Sequence, residues 1–139
     1  MDDLSALRAR IIEHEGLKLF PYKDTVGKWT IGVGRNLSDR GISHDEAMYL
    51  LNNDIQESIQ ELKHYDWFNN LDEVRQGVLI ELHFNIGLTS LLKFKNMIAC
   101  LEKKYYLNAA KALENSLWSR QVGKIRSEDM ADRLISGSY

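Results

Sequence analysis

Glycine and proline are concentrated in one short stretch of this chain. Five of the nine glycines, together with the single proline, Pro21, lie between residues 16 and 41. Beyond that stretch the apolar residues recur mostly at helical spacing, with isolated glycines between the runs. The shift predicts an α+β fold. A small lobe of turns and strands at about 16–42 would be followed by a helical lobe at about 43–139, which the N-terminal helix would also join.

Composition narrows the classes of protein that remain. The chain has 139 residues, 44% of them hydrophobic, which is enough to bury a core. No run of about 18 apolar residues is present, so we expect no membrane span. The net charge of −2 gives no reason to expect a nucleic-acid partner, and the single cysteine excludes an internal disulfide. We expect a monomer.

The first 35 residues change their periodicity near Gly16. Apolar residues at helical spacing predict a first helix that ends at this glycine and therefore places Glu15 at its C-terminal end. Side chains alternate with a period of two along residues 17–22 and 29–33, and a turn at 23–27 separates the two runs. This pattern predicts a β-hairpin. The carboxyl group of Glu15 is therefore followed directly in the sequence by the predicted hairpin.

The rest of the chain carries clear helix signals. Ser43 and Glu46 have the spacing of a capping box, and Asp72 is placed to cap a helix that is apolar nearly all round. Such a helix is normally central and buried, and Gly87 is expected to end it. Shorter helices are predicted near 90–104, 108–117 and 123–135, the last of them ended by Gly137.

Glu15, Asp24 and Thr30 are the residues whose chemistry stands out. At a helix C-terminus the macrodipole disfavours a carboxylate, so Glu15 is expected to keep its proton, as a general acid requires. Asp24 lies in a turn, where water and backbone N–H groups can keep it ionised, and a hairpin would bring Thr30 near it. Two carboxyl groups in contrasting environments are the pattern for cleaving a glycosidic bond. Each residue alone also has an ordinary structural explanation.

Other candidate sites are weaker. Gly32 and Gly34 leave the returning strand without side chains, so a ligand could approach its backbone, but they lack the third glycine of a dinucleotide motif. The four histidines are scattered without ligand spacing, so neither a metal site nor a cofactor is expected. His83 is expected to be a core histidine with a hydrogen-bond partner.

One pattern resembles a known family. The sequence Glu15-Gly16, Tyr22-Lys-Asp24, Gly27, Thr30-Ile-Gly-Val-Gly34 is similar to the signature of phage-type lysozymes, the endolysins or muramidases of glycoside hydrolase family 24. Phe84-Asn85-Ile-Gly87, Trp118 and the C-terminal residues extend the resemblance more loosely over the chain. It implies a single lysozyme-like domain over 1–139, with a reduced β-hairpin lobe, an all-helical lobe and the active-site cleft between them.

The resemblance also assigns roles. Glu15 matches the general acid, Asp24 the second carboxyl group, and Thr30 the hydroxyl that helps to place the attacking water. The arrangement is similar to that of an inverting glycosidase. Arg126 matches a basic residue that pairs with the catalytic glutamate. Such a pair would favour the ionised form of Glu15, whereas the helix end would favour the protonated form, and the sequence leaves open which effect is larger.

Residues that line the glycan cleft are implied in the same way. Leu37, Phe84 and Asn85 match such positions. The small lobe is shorter than in the family's larger members, because only residues 35–42 separate the glycine-rich strand from the next helix. Arg35 could fold against Asp24 or face phosphates and carboxylates, and the sequence does not decide between these.

The function implied is hydrolysis of the β-1,4 bond between N-acetylmuramic acid and N-acetylglucosamine, without a cofactor, leading to lysis of the bacterial cell wall. Two alternatives remain: a lytic transglycosylase, and a non-catalytic glycan-binding domain of a phage particle. The joint presence of Asp24 and Thr30 favours hydrolysis, because a transglycosylase has no need to position water. The N-terminal residues lack the apolar run of a signal peptide. The resemblance implies an endolysin that stays in the host cytoplasm until it is released to the periplasm and cell wall, and a tail-associated or prophage-borne enzyme fits the sequence equally well.

Overall fold

The computed structural model describes residues 4–139. Residues 1–3 lie outside them, although the predicted domain and the predicted absence of a signal peptide both include these residues. The described chain divides near residue 49 into two compact units. The first unit holds the N-terminal helix and all three strands. The second unit is helical.

The first unit is built on a small antiparallel sheet. Its strands follow the order β1-β2-β3, so each strand pairs with the next one along the chain. The elements are α1 (Ser5–Glu15), β1 (Lys18–Lys23), β2 (Trp29–Gly32), β3 (Arg35–Asn36), α2 (Leu37–Arg40) and the start of α3 (His44–Leu62).

The helix end and the hairpin form as predicted. Gly16 adopts φ +78° and donates its N–H to the carbonyl of Ile12 at 2.7 Å, so α1 stops immediately after Glu15. Strands β1 and β2 pair from Lys18 opposite Gly32 to Lys23 opposite Trp29, with a bulge in the register between them. The turn therefore begins at Asp24.

The third strand and the short helix α2 were not predicted. Strand β3 has two residues and α2 has four, and neither length leaves a measurable periodicity in the sequence. Asn36 nevertheless fixes the start of α2, because its side chain accepts a hydrogen bond of 3.0 Å from the N–H of Asp39.

The predicted capping box at the start of α3 is present in both directions. The N–H of Glu46 donates to Oγ of Ser43 at 3.1 Å, and the N–H of Ser43 donates to Oε1 of Glu46 at 2.8 Å. Two otherwise unpaired backbone donors are satisfied in this way.

The second unit contains the buried core. Its elements are the remainder of α3, α4 (Asp66–Asn69), α5 (Glu73–Leu91), α6 (Lys95–Glu102), α7 (Tyr106–Glu114), α8 (Leu117–Val122) and α9 (Lys124–Ser136). Fully buried side chains from five of these helices meet in one cluster: Leu62, Val78, Leu79, Leu82, Leu91, Met97, Leu113, Met130 and Leu134. The short helix α4 was not predicted.

Helix α5 differs from its prediction at one point. Asp72 caps it as expected, accepting a hydrogen bond of 3.2 Å from the N–H of Arg75. Gly87 interrupts the helix with φ +80° and ψ 169°, but the chain resumes a helical path to Leu91. Gly87 is therefore a break within the element and not its end.

The observed class is α+β, mostly helical with a small three-stranded antiparallel sheet, as predicted. Across residues 4–139, no helix is both long enough and apolar enough to cross a bilayer.

Candidate active site

Glu15 lies at the end of α1 with its side chain against the backbone of Gly34. A Cβ atom placed on Gly34 would stand 2.6 Å from Oε2 of Glu15 and 3.2 Å from its Cδ. Because real Cβ atoms do not come so close to another heavy atom, the carboxyl group occupies the place where a side chain at position 34 would be.

The two glycines of the returning strand therefore differ. At Gly32 (φ +67°) a Cβ would meet no atom of the described residues within 4 Å, which leaves this backbone open as predicted. At Gly34 the expected free approach for a ligand is wrong, because Glu15 fills that side. Nothing in the spacing of the two glycines distinguishes them.

Asp24 is fixed by the turn that it begins. Its Oδ1 accepts hydrogen bonds of 2.9 Å from the N–H groups of both Val26 and Lys28. Its own N–H donates to the carbonyl of Lys28 at 2.9 Å. None of the other described residues donates to Oδ2, so one carboxylate oxygen orients the side chain and the second is left for solvent or a ligand.

Thr30 is buried in the centre of the sheet, paired with Tyr22 on one side and with Asn36 on the other. Only 4% of the residue is exposed. Its hydroxyl donates to the carbonyl of Lys28 at 3.0 Å, which leaves the oxygen to act as an acceptor. The side chains of Asp24 and Thr30 thus bond to the N–H and the carbonyl of the same residue.

Arg35 does not fold against Asp24, and the carboxylate that it faces belongs to Glu46 of the same chain. Its Nη1 donates to Oε1 of Glu46 at 2.7 Å and to the carbonyl of Gly41 at 3.4 Å. The hydrogen bond from Arg35, with those from Ser43, lowers the pKa of Glu46 from its ordinary value to about 2. Arg35 therefore ties the loop after β3 to the start of α3.

Leu37 lines a hollow of about 370 Å³ that it shares with Pro21, Trp29 and Ser38. Trp29 is about half exposed. Leu37 was predicted to contact the glycan, and its surroundings are those of a shallow apolar surface that could receive one face of a sugar ring. The contact itself stays a prediction.

Phe84 and Asn85, the other two predicted glycan contacts, lie on α5 in the second unit. Phe84 is 48% exposed and borders a hollow of about 400 Å³ with Asp54, Glu57, Ser58 and His83. Asn85 accepts a hydrogen bond of 2.7 Å from the indole nitrogen of Trp118. Both side chains are therefore accessible, and Asn85 is also held in place.

His83 is the buried histidine that the sequence predicted. Its Nδ1 lies 2.8 Å from Oγ of Ser58, and its Nε2 lies 3.1 Å from Oε2 of Glu61. The order serine, histidine, glutamate is that of a hydrolytic triad, but Ser58 is 2% exposed. The three side chains join α3 to α5 by hydrogen bonds, and we assign them no nucleophilic role.

Arg126 is half-buried at the start of α9. Its Nε lies 3.7 Å from Oε1 of Glu81, while the other oxygen of Glu81 accepts a hydrogen bond of 2.5 Å from Arg133. The predicted pairing of Arg126 with Glu15 stays a prediction. Sequence reasoning missed Glu81 and Arg133 as partners, since they belong to helices that lie far apart along the chain.

A general-acid candidate at a helix end, a second carboxyl group on the adjoining hairpin and a mainly helical remainder define a lysozyme-like α+β protein. The sequence pattern of the family described as Phage lysozyme matches residues 12–133. The chain belongs to the phage lysozyme family. Membership supports a glycoside hydrolase of the muramidase type.

Two relatives come from Dictyostelium discoideum. The chain is 28% identical over 163 aligned positions to "Probable T4-type lysozyme 2" and 26% identical to "Probable T4-type lysozyme 1". Each alignment covers 96% of this chain and 93% of the relative. The 163 positions exceed the 139 residues of the chain by 24, so both relatives contain segments that this chain lacks.

Proposed function

We propose that the protein hydrolyses the β-1,4 bond between N-acetylmuramic acid and N-acetylglucosamine in bacterial peptidoglycan, with inversion at the anomeric carbon. The observation that carries this proposal is the separate anchoring of the two carboxyl groups. Glu15 ends a helix and rests on Gly34. Asp24 is held by two backbone N–H groups of its own turn.

The bond is broken by one displacement. Glu15, in its protonated form, gives its proton to the glycosidic oxygen as the bond to the anomeric carbon breaks. A water attacks the opposite face of the ring, and Oδ2 of Asp24 receives the proton that this water loses. Inverting enzymes hold their carboxyl groups roughly 6.5–9.5 Å apart to leave room for such a water.

Thr30 assists by accepting a hydrogen bond. Its hydroxyl proton is engaged by the carbonyl of Lys28, so the attacking water must donate to Oγ1. Lys28 fixes both groups that would touch the water, since its N–H holds Asp24 and its carbonyl holds Thr30. The hairpin thus preorganises the water site before substrate binds.

Purified peptidoglycan provides the test. We expect the unmodified protein to release fragments with new reducing ends, and Glu15→Gln to lower the rate at least about 10²-fold, the usual contribution of general acid–base catalysis. Loss of activity in the variant with an unchanged unfolding midpoint supports the assignment. Unchanged release by Glu15→Gln would remove Glu15 from the mechanism.

Asp24 offers a matched pair of variants. In Asp24→Asn an oxygen can still accept the two backbone hydrogen bonds, so the turn should persist while the charge is lost. In Asp24→Ala both are lost. We expect both variants to lose activity, but only Asp24→Ala to lose stability. An active Asp24→Asn would show that the second carboxyl group has no role in the chemistry.

The same digest separates hydrolysis from the lytic transglycosylase alternative. Hydrolysis consumes water and leaves a reducing sugar, whereas the transglycosylase closes a 1,6-anhydro ring on the muramic acid. Digestion in ¹⁸O-labelled water should place one labelled oxygen on each new reducing end. Anhydro ends without label would replace the proposal by the transglycosylase, and the absence of any fragments would favour the glycan-binding domain.

A role in lysis of the host is part of the proposal. The enzyme would accumulate in the host cytoplasm and reach the peptidoglycan only after a separate protein opened the membrane. Fractionation of expressing cells should then find the activity in the cytoplasm, with lysis upon permeabilisation. Activity in the periplasm of intact cells would contradict this route.

A further inference from the structure

Gly34 and Gly32 both adopt a positive φ, +65° and +67°. An L side chain is therefore disfavoured at either position. The neighbouring atoms differ. A Cβ on Gly32 would meet nothing among the described residues within 4 Å, whereas a Cβ on Gly34 would lie 2.6, 3.2 and 3.3 Å from Oε2, Cδ and Cγ of Glu15.

We propose that Gly34 is a positioning residue for the acid: the absence of its side chain determines where the carboxyl group of Glu15 stands on the turn between β2 and β3. The inference rests on the proposed function, because it assigns Gly34 to the same general acid. It concerns placement only, since Gly34 itself has no group that transfers a proton.

The required displacement can be read from the distances. To leave 3.0 Å between Oε2 and a Cβ at position 34, the carboxyl group must move by at least 0.4 Å, and an ordinary contact of 3.4 Å requires 0.8 Å. The end of a glutamate side chain can turn aside at little cost to the fold. The position needed to protonate a glycosidic oxygen is lost, however, and a misplacement of about 1 Å can cost on the order of 10²-fold in rate.

Gly34→Ala and Gly32→Ala form a matched pair for the test. Both introduce the same methyl group at a positive φ, so we expect both unfolding midpoints to fall. With soluble peptidoglycan fragments, kcat of Gly34→Ala should be at least about 10²-fold below that of Gly32→Ala, with KM changed much less. A kcat for Gly34→Ala within threefold of that for Gly32→Ala overturns the inference.

A second substrate separates misplacement of the acid from general damage. A peptidoglycan oligosaccharide whose terminal N-acetylmuramic acid carries p-nitrophenolate as its leaving group needs little help from an acid, because p-nitrophenolate is a stable anion. We expect the loss in Gly34→Ala to be at least tenfold smaller with this substrate than with peptidoglycan fragments. An equal loss with both substrates would indicate a damaged site and contradict the positioning role.

The double variant Glu15→Ala/Gly34→Ala keeps the proposal testable if Gly34→Ala does not fold. If Gly34→Ala is unfolded, a folded double variant attributes the conflict to the side chain of Glu15 and supports the contact. An unfolded double variant overturns it. Failure of the proposed function has a different signature, because peptidoglycan would then be left intact by the unmodified protein or cut normally by Glu15→Gln.

Discussion

The indole nitrogen of Trp118 donates a hydrogen bond of 2.7 Å to Oδ1 of Asn85, 33 positions earlier in the chain. Trp118 is 5% exposed, whereas Asn85 is exposed to solvent. The bond fixes α8 to α5 and orients the amide of Asn85. With Oδ1 engaged, the Nδ2 group is the part of this side chain that can donate to a glycan.

This bond predicts an asymmetric pair of variants at position 85. Asn85→Leu leaves the buried indole N–H without an acceptor and should lower the free energy of unfolding by about 1–3 kcal/mol. Asn85→Asp keeps an oxygen at the same place and should retain most of the stability. Urea unfolding followed by Trp fluorescence measures both changes. Equal losses in the two variants would contradict the contribution of the hydrogen bond.

Glu46 predicts a pH dependence of stability. Its pKa is lowered to about 2 in the folded protein, chiefly by the hydrogen bond from Arg35, and would return to its ordinary value on unfolding. The ionised carboxylate therefore stabilises the fold above about pH 5, and this contribution is lost as the pH falls towards 2. Glu46→Gln should be less stable than the unmodified protein at pH 7, and the difference should shrink on acidification.

Asp45→Asn is the control for this experiment. Asp45 precedes Glu46, and its carboxylate lies 4.0 Å from Nδ1 of His44, with both side chains largely exposed. The Asp45→Asn substitution removes the same charge without breaking a close hydrogen bond, so we expect little change in stability at pH 7. Thermal unfolding at several pH values compares the two variants. A Glu46→Gln difference that stayed constant from pH 7 to pH 2 would exclude Glu46 as its source.

Lys104, the second residue after α6, adopts φ +62° and is the only non-glycine residue of the described chain with positive φ. The N–H of the next residue, Tyr105, donates to the carbonyl of Cys100 at 2.8 Å, as in a helix end that normally carries glycine. Lys104→Gly should therefore raise the free energy of unfolding by about 1 kcal/mol. The neighbouring Lys103→Gly, at φ −91°, should bring no such gain. Equal effects at both positions would contradict the strain argument.

Helix boundaries were predicted correctly where they depend on residues close together in the sequence. Gly16, the pair Ser43 and Glu46, and Asp72 each act on a backbone within four residues, and each helix boundary that they predicted is present. Gly87 shows the limit of such a signal. Its positive φ breaks the helix, but the apolar residues after it let a further turn form.

Contacts between distant residues were beyond the reach of the sequence. The partner of Arg35 depends on where α3 begins relative to the sheet, and that partner is Glu46 and not Asp24. The two glycines at 32 and 34 look equivalent in the motif, yet only one of them faces Glu15. The direction of a Cβ vector is a property of the folded turn, so spacing could indicate a site near these glycines but not their separate functions.

Glu81 holds two guanidinium groups unequally. Arg133 bonds closely to one of its oxygens, whereas Arg126 stays 3.7 Å from the other and is 37% exposed. If Arg126 turned towards another carboxylate, Glu81 would keep its closer counter-ion, and no buried charge would be left uncompensated. The side chain of Arg126 can therefore move from Glu81 to an incoming anion with little loss of stability.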